Sequence, residues 1–357
     1  MRDQASEADR IRRRSHNVVT IEDVARLAGV SPSTASRVIG STQPVREDNR
    51  VKVMAAARTL NYVPNLAARN LASGASERIG VICSNPSAAY LSAFLAGAME
   101  RCAAKGAELL LFNCSPGDEQ AERAELMRLT GGVVSGVLLP SPRHERALAP
   151  QLLREMNIVA VMVGGGRAGF SCVHTDDRAA TREMTQYLLR LGHRQIGFVS
   201  GHPGHRSSRL RMIEFLEVMG ATPGAEPVIA QGYFTFESGL RAAEQLLGAT
   251  PRPTAIFACN DDMAAAVISV AQRQGLVIPR DLTVVGYDDT ELAVTVWPPL
   301  TTIRQPVSEM ASAAVDLLLH EIRAVRRGAA LEPSDRIVPH TLVERQSASP
   351  PSTQAVG

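Results

Sequence analysis

The sequence predicts a small all-α unit at the N-terminus, then a hinge segment, then an α/β core of two subdomains with mostly parallel sheets. Three observations carry this. Residues 18–60 show helical apolar spacing broken by capping and turn residues. Residues 61–77, NYVPNLAARNLASGASE, have Pro64 at one end and Ser and Gly at the other, as a linker does. From Arg78 to about Arg345, short apolar runs alternate with amphipathic stretches, the pattern of βαβ units.

Composition sets the bounds. A chain of 357 residues with 45% apolar content can bury more than one core. No stretch approaches the roughly 20 apolar residues of a membrane span. MRDQASEADRIRRRSHN is charged and leads into no apolar run, so it does not read as a secretory signal. Cys83, Cys102, Cys114, Cys172 and Cys259 are odd in number and form no CxxC pair. That argues against a disulfide framework and against a zinc site, and fits a reducing cytoplasm. Residues 1–76 hold 12 Arg or Lys against 7 Asp or Glu, a balance of +5 in a chain of net +2. The N-terminal end is therefore the part suited to a polyanion.

In the first unit, Thr20 and Asp23 are spaced as a helix N-cap pair, and Val24, Leu27 and Ala28 share one face. Gly29 can take the left-handed conformation that ends this helix. Ser31 caps a second helix with Pro32 at its first position, and Ala35, Val38 and Ile39 face inward. A third helix over about 47–60 buries Val51, Met54 and Ala55. Helix, glycine turn, helix is the helix-turn-helix pattern. The outer face of the second helix carries Ser33, Thr34, Ser36 and Arg37, short polar groups and one reaching cation, as a major-groove helix requires. On spacing alone, a helical bundle with a Ser-rich solvated face fits as well.

In the core, RIGVIC, AELLLF, SGVLLP, RQIGFVS, TAIFAC and LTVVGY read as strands, and AFLAGAMERCAAKG and EQAERAELMRL as helices. These are too many strands for one sheet, hence two subdomains. GGGRAG, residues 164–169, satisfies GxGxxG, but FSCVHTDD follows it and reads as another strand. A dinucleotide site needs a helix to begin there, so this is an inter-strand loop. No nucleophile elbow, P-loop, HExxH or Cys/His constellation is present, and no enzyme or cofactor is expected. SASPPSTQAVG reads as a disordered tail.

TIEDVARLAGVSPSTASRVIG, VREDNRVKVMAAARTLNYVPNLAARNLASG, LGHRQIGFVSG, RPTAIFACNDDMAAAV and GYDDTELAVTVWPPLTTIRQP closely resemble, in order, the lactose-repressor (LacI/GalR) family of bacterial transcription regulators. The likeness runs over about residues 18–347. It implies a basic arm (1–17), a headpiece (18–63), a hinge helix and linker (64–77), and an effector-binding and dimerisation core (78–347). The core would be two periplasmic-binding-protein-like subdomains, one of about 78–176 and 304–331, the other of about 177–303 and 332–347. Nothing after Gln346 shows the apolar heptads of a tetramerising helix, so the expected assembly is a homodimer on a palindromic DNA operator. A cytoplasmic small-molecule binding protein, or a regulator of this family that responds to a nucleobase, is the alternative.

The resemblance also implies roles. Base reading falls on Pro32, Ser33 and Arg37, with Thr20, Ser31, Thr34, Ser36 and Asn65 positioning the headpiece. Pro32 can offer only apolar contact, and Gly40 replaces the family's usual Asn. In the hinge, Ala68, Leu71 and Ala72 approach the minor groove, with Leu71 as the wedge. In the core, Asp176, His205, Ser207, Arg209, Arg211, Phe234, Asn260 and Asp288 match effector contacts. Ser87, Tyr90 and Leu91 lie in a loop that departs from the family's NPFF wording. Carboxylate, guanidinium and amide with one aromatic suit a sugar. His205 stands where relatives for purine bases carry an arginine, which weighs against a nucleobase. Taken singly, Asp288 could sit in a solvated turn and Phe234 in the core.

Overall fold

The computed structural model describes residues 20–40, 45–60, 77–83, 85–113, 133–142, 148–166 and 169–352, with Gln120, Arg123, Ala124 and Met127. The basic arm, the hinge residues Asn65, Ala68, Leu71 and Ala72, and the end of the tail lie outside these residues. The chain divides into two compact units, Met1–Ser76 and Glu77–Gly357.

The first unit has three helices: α1 (Ile21–Ala28), α2 (Pro32–Gly40) and α3 (Glu47–Thr59). Thr20 and Asp23 form a reciprocal capping box at the start of α1, and Gly29 ends it at φ 65°. Thr34 N–H donates to Ser31 Oγ at 3.2 Å, so Ser31 caps α2. Val24, Ala25, Ala28, Ala35, Val38, Val53, Ala56 and Leu60 make the core. This corrects the expected face of α3: Val51 and Met54 are exposed, and Val53, Ala56 and Leu60 point inward. Apolar residues occur nearly all round α3, so its spacing alone admits two phases. Packing against α1 and α2 selects one.

The second unit has two six-stranded sheets. The first sheet holds β1 (Arg78–Cys83), β2 (Glu108–Asn113), β3 (Gly136–Pro140), β4 (Ala160–Val163), β5 (Ser171–His174) and β11 (Asp335–Ile337), in the order β11-β5-β4-β3-β1-β2. Its pairs are all parallel. The second sheet holds β6 (Gln195–Ser200), β7 (Glu226–Gln231), β8 (Ala255–Ala258), β9 (Thr283–Asp288), β10 (Thr301–Arg304) and β12 (Thr341–Val343), in the order β12-β10-β9-β8-β6-β7. Only the β10–β12 pair is antiparallel. Central strands such as β3, β4 and β8 are buried along their whole length, as expected for parallel sheets covered on both faces.

Helices α4 (Ala88–Lys105), α5 (Leu148–Glu155) and α11 (Val307–Arg326) flank the first sheet. Helices α6 (Asp177–Arg190), α7 (Arg206–Gly220), α8 (Phe236–Leu247) and α9 (Asp261–Arg273) flank the second, with the short α10 (Leu292–Thr295) after β9. Phe198 stacks on Phe215 at 4.5 Å and meets Phe257 edge-on at 5.4 Å in that core. The chain passes between sheets three times: after β5, after β10 and after β11. Two expectations are corrected here. Residues 335–337 pair with β5 in the first sheet, so the start of 332–347 does not belong to the second subdomain. The tail is ordered as far as it is described: Ser349 N–H donates to Thr283 Oγ1 at 3.0 Å, and Thr283 Oγ1 and His193 Nε2 contact the Ser349 carbonyl. Pro350 and Pro351 had suggested disorder, but Ser347 and Ser349 knit this end of the chain to β9.

Candidate functional site

On α2, Pro32, Ser33, Ser36 and Arg37 are exposed and Ala35 and Val38 are buried, so burial splits the helix into an inward and an outward face. The hydroxyls of Ser31, Ser33 and Thr34 gather at its N-terminus, with Ser31 Oγ 2.8 Å from Thr34 Oγ1 and 3.0 Å from Ser33 Oγ. Arg37 folds back so that Nε donates to the Ser33 carbonyl at 3.3 Å. Its guanidinium remains exposed. These are short hydroxyl donors at one helix end and an exposed cation, a surface suited to phosphates and base edges.

In the second unit, parallel strands deliver their C-terminal ends to helix N-termini along one cleft, the place where open α/β sheets bind ligands. Two caps serve the cleft directly. Ser87 caps α4 by accepting from Tyr90 N–H at 3.3 Å, and Asn260 caps α9 by accepting from Met263 N–H at 3.0 Å. A cavity in the cleft is lined by Asn85, Pro86, Ser87, Tyr90, Ser141, Gly164 and Thr175 on one side. Asp177, His205, Ser207, Arg211, Phe234, Asn260, Asp288 and Gln305 complete it.

Arg211 is its electrostatic centre. Nε donates to Asp177 Oδ1 at 2.8 Å and Nη1 to the Cys259 carbonyl at 2.6 Å. The guanidinium lies 3.5 Å from the Tyr287 ring centroid, and Tyr287 O–H donates to the same Asp177 oxygen at 3.2 Å. Burial opposes the charge on Arg211, but Asp177, Tyr287 and Asp288 together hold it protonated. Asp288 accepts from Gln305 Nε2 at 2.7 Å. Its burial pushes the carboxyl up to about 7, against the pull of Arg211 and Gln305. Asp288 and Asp289 stand at φ 115° and 59°, and Phe234 at φ 64°, so three non-glycine residues by the cavity hold costly backbone conformations. Ser87 Oγ donates to Asp262 Oδ2 at 2.8 Å, joining the two subdomains across the cleft.

Of the expected positions, Ser87, Tyr90, His205, Ser207, Arg211, Phe234, Asn260 and Asp288 meet around this cavity. Leu91, Asp176 and Arg209 do not line it. Asp176 turns its carboxylate to the Arg178 and Ala179 N–H groups, both at 3.0 Å, as the cap of α6. Its neighbour Asp177 is the one that faces Arg211. Arg209 is exposed and donates to the Pro203 and Gly204 carbonyls. Phe234 is largely covered: its ring sits against the Gly201 backbone, and the His205 ring lies nearly parallel at 5.6 Å. Thr175, Asp177 and Gln305 were missed. HTDD places two carboxylates in a row, and only the helix start decides which one caps and which one enters the cleft.

A helix-turn-helix with a polar, cationic outer face, carried in one chain with a two-subdomain α/β unit around a charged cleft, defines a DNA-binding regulator that takes a small-molecule effector. Residues 20–65 match the family described as bacterial regulatory proteins, lacI family, and residues 185–348 match the periplasmic binding protein-like domain. The HTH-type transcriptional repressor PurR of Photobacterium profundum is 34% identical over 311 residues, 86% of this chain and 92% of the relative. PurR of Escherichia fergusonii is 34% identical over 337 residues, 93% of this chain and 97% of its own. Among solved structures, the lac repressor dimer bound to operator and the anti-inducer ONPF is similar with TM-score 0.68 and 30% identity, covering 93% of this chain and 99% of that one. The complex of the transcriptional regulator CelR with cellobiose has TM-score 0.69 and 29% identity, covering 92% and 100%. The chain belongs to the lacI family of bacterial regulatory proteins. It is a DNA-binding transcriptional repressor of that family and not an enzyme. Among the described residues, no helix is long and apolar enough to cross a membrane.

Proposed function

We propose that this repressor is a cytoplasmic homodimer that reads a palindromic operator and responds to a sugar bound in its cleft. The observation that carries the sugar reading is the buried Arg211–Asp177–Tyr287 cluster with Asp288, Gln305 and Asn260 converging on one cavity. Guanidinium, carboxylates and amides there offer both donors and acceptors, which is what neighbouring hydroxyls need. The likeness to a structure holding cellobiose supports it. On DNA, Arg37 reads a guanine, Ser33 and Pro32 meet neighbouring bases, and Thr20, Ser31, Thr34 and Ser36 fix the headpiece on phosphates. Leu71, with Ala68 and Ala72, wedges the central step, and Asn65 supports the hinge.

A second reading, a flat nucleobase-type effector, is favoured by the near-parallel Phe234 and His205 rings at the cavity wall. The relatives named PurR, at 34%, also share more identity with this chain than the cellobiose-bound neighbour, at 29%. A thermal-shift screen with mono- and disaccharides in one arm and nucleobases in the other separates the two, since a ligand of the native state raises its stability by about 2.7 kcal/mol at 100 times Kd. The sugar reading requires a shift in the first arm that is absent in the second. A gel-shift of the full chain against one lacking residues 1–76 tests the DNA assignment, with binding expected only from the former.

A further inference from the structure

Away from the cavity and from α2, three donor side chains of different chemistry meet at the edge of the first sheet. Cys172 and His174 are two residues apart on β5, so they leave the same face of the strand. β11 runs beside β5 with Asp335 in register with Cys172. One ligand atom from each, the thiol sulfur, a ring nitrogen and a carboxylate oxygen, lies within 4.8 Å of the other two. The thiol is buried and the carboxylate exposed, with the imidazole between them in burial, so the cluster opens to solvent on the Asp335 side.

His174 Nδ1 lies 3.0 Å from the Thr175 carbonyl. Nε2 lies 2.8 Å from Asp335 Oδ1, a second acceptor. The Cys172 sulfur lies within 4.8 Å of both other ligand atoms. A ring nitrogen held by a backbone carbonyl is the usual support of a metal-bound histidine.

We propose that Cys172, His174 and Asp335 form a site for one thiophilic divalent cation of the zinc class. Thiolate, imidazole and carboxylate favour zinc or cobalt over magnesium or calcium, and a fourth position stays open to water. Binding forms a metal–sulfur bond and releases the thiol proton to solvent. The cation ties β11 to β5 just before the third passage between subdomains, and Thr175, the residue after His174, lines the effector cavity. The odd, scattered cysteines hid this site, because sequence spacing shows ligands only when they are neighbours along the chain.

The test uses the reduced, chelator-stripped full-length chain and Co²⁺ as the probe. One equivalent of cobalt should produce a thiolate-to-cobalt charge-transfer band with the intense visible bands of a four-coordinate site, and Zn²⁺ should displace both. Cys172→Ser should abolish the charge-transfer band. Asp335→Asn, at an exposed position, and His174→Asn should each weaken cobalt binding by about tenfold or more. These two variants carry the test if the buried serine prevents folding. Absence of the band at stoichiometric cobalt, its survival in Cys172→Ser, or unchanged affinity in Asp335→Asn would each overturn the proposal.

Discussion

At the residue scale, Arg37 and Asp288 make opposite uses of charge. Arg37 keeps an exposed guanidinium held by one long hydrogen bond to its own helix, so it can be redirected to a base edge with little rearrangement. Arg37→Ala should cost about 1–3 kcal/mol on the cognate operator and relax preference at one base pair, measured by competition gel-shift over single-base operator variants. A uniform loss over all sequences would assign it to phosphate instead. Asp288 is buried, and its carboxyl is pushed from the ordinary carboxylate range up to about 7. The native state therefore holds a proton that the unfolded chain has lost between about pH 4 and pH 7. The unfolded state binds fewer protons in that window, so this group makes stability fall as pH rises through it and level off above. Asp288→Asn keeps an acceptor for Gln305 but cannot ionise. Urea unfolding at steps from pH 4.5 to 7.5 should show the wild-type stability declining relative to this variant. Parallel pH profiles would remove the buried-carboxyl assignment.

At the element scale, two helices of the first subdomain approach closely at a glycine. A Cβ on Gly97 of α4 would meet the Ser308 carbonyl oxygen at 2.3 Å and Ser308 Cα at 2.7 Å, both backbone atoms of α11. Ser308 Oγ donates to the Ala93 carbonyl and Ser312 Oγ to the Gly97 carbonyl along the same seam. Backbone cannot yield as a side chain can, so Gly97→Ala should destabilise the core by about 1–3 kcal/mol, read as a lower urea midpoint at unchanged m-value. In α1, Thr20→Ala removes the hydroxyl half of the capping box, the acceptor of the Asp23 N–H, while the residue 20 N–H still donates to Asp23 Oδ2, and should cost the headpiece about 1 kcal/mol by thermal melting of its circular dichroism. If Thr20 also contacts phosphate, operator affinity should fall further than this loss of folding explains.

At the scale of the whole molecule, an effector changes operator affinity only by binding two arrangements of the core unequally. The cleft has walls from both subdomains, and Ser87 Oγ already reaches Asp262 across it. Arg211, Asp177 and Asp288 lie on the second-subdomain side, while Tyr90, Ser141 and Gly164 lie on the first. An effector that recruits Arg211 would contribute charge-assisted hydrogen bonds worth about 1.5–3 kcal/mol each. Arg211→Ala should bind operator normally and lose the effector response. If the ligand is an inducer the variant represses permanently; if a corepressor, it fails to repress. Operator affinity with and without ligand decides, and an unaltered response would place the effector elsewhere.

Much was legible before any coordinates. The capping pair Thr20–Asp23, the glycine turn, the cap at Ser31 and the alternating strand and helix runs are local signals, written within a few residues of where they act. Arg211, Phe234, Asn260 and Asp288 were found through a motif match, each beside a diagnostic string. The phase of α3, the choice between Asp176 and Asp177, the pairing of 335–337 with β5 and the docking of Ser349 on Thr283 were decided only by the tertiary structure. Each depends on a partner far away in sequence, and two registers of comparable local merit are separated only when that partner occupies one side. The meeting of Cys172 and His174 with Asp335, more than 150 residues apart in the chain, has the same cause. Spacing along a chain specifies helices, caps and turns, whereas the composition of a site is fixed by which strands the sheet brings side by side.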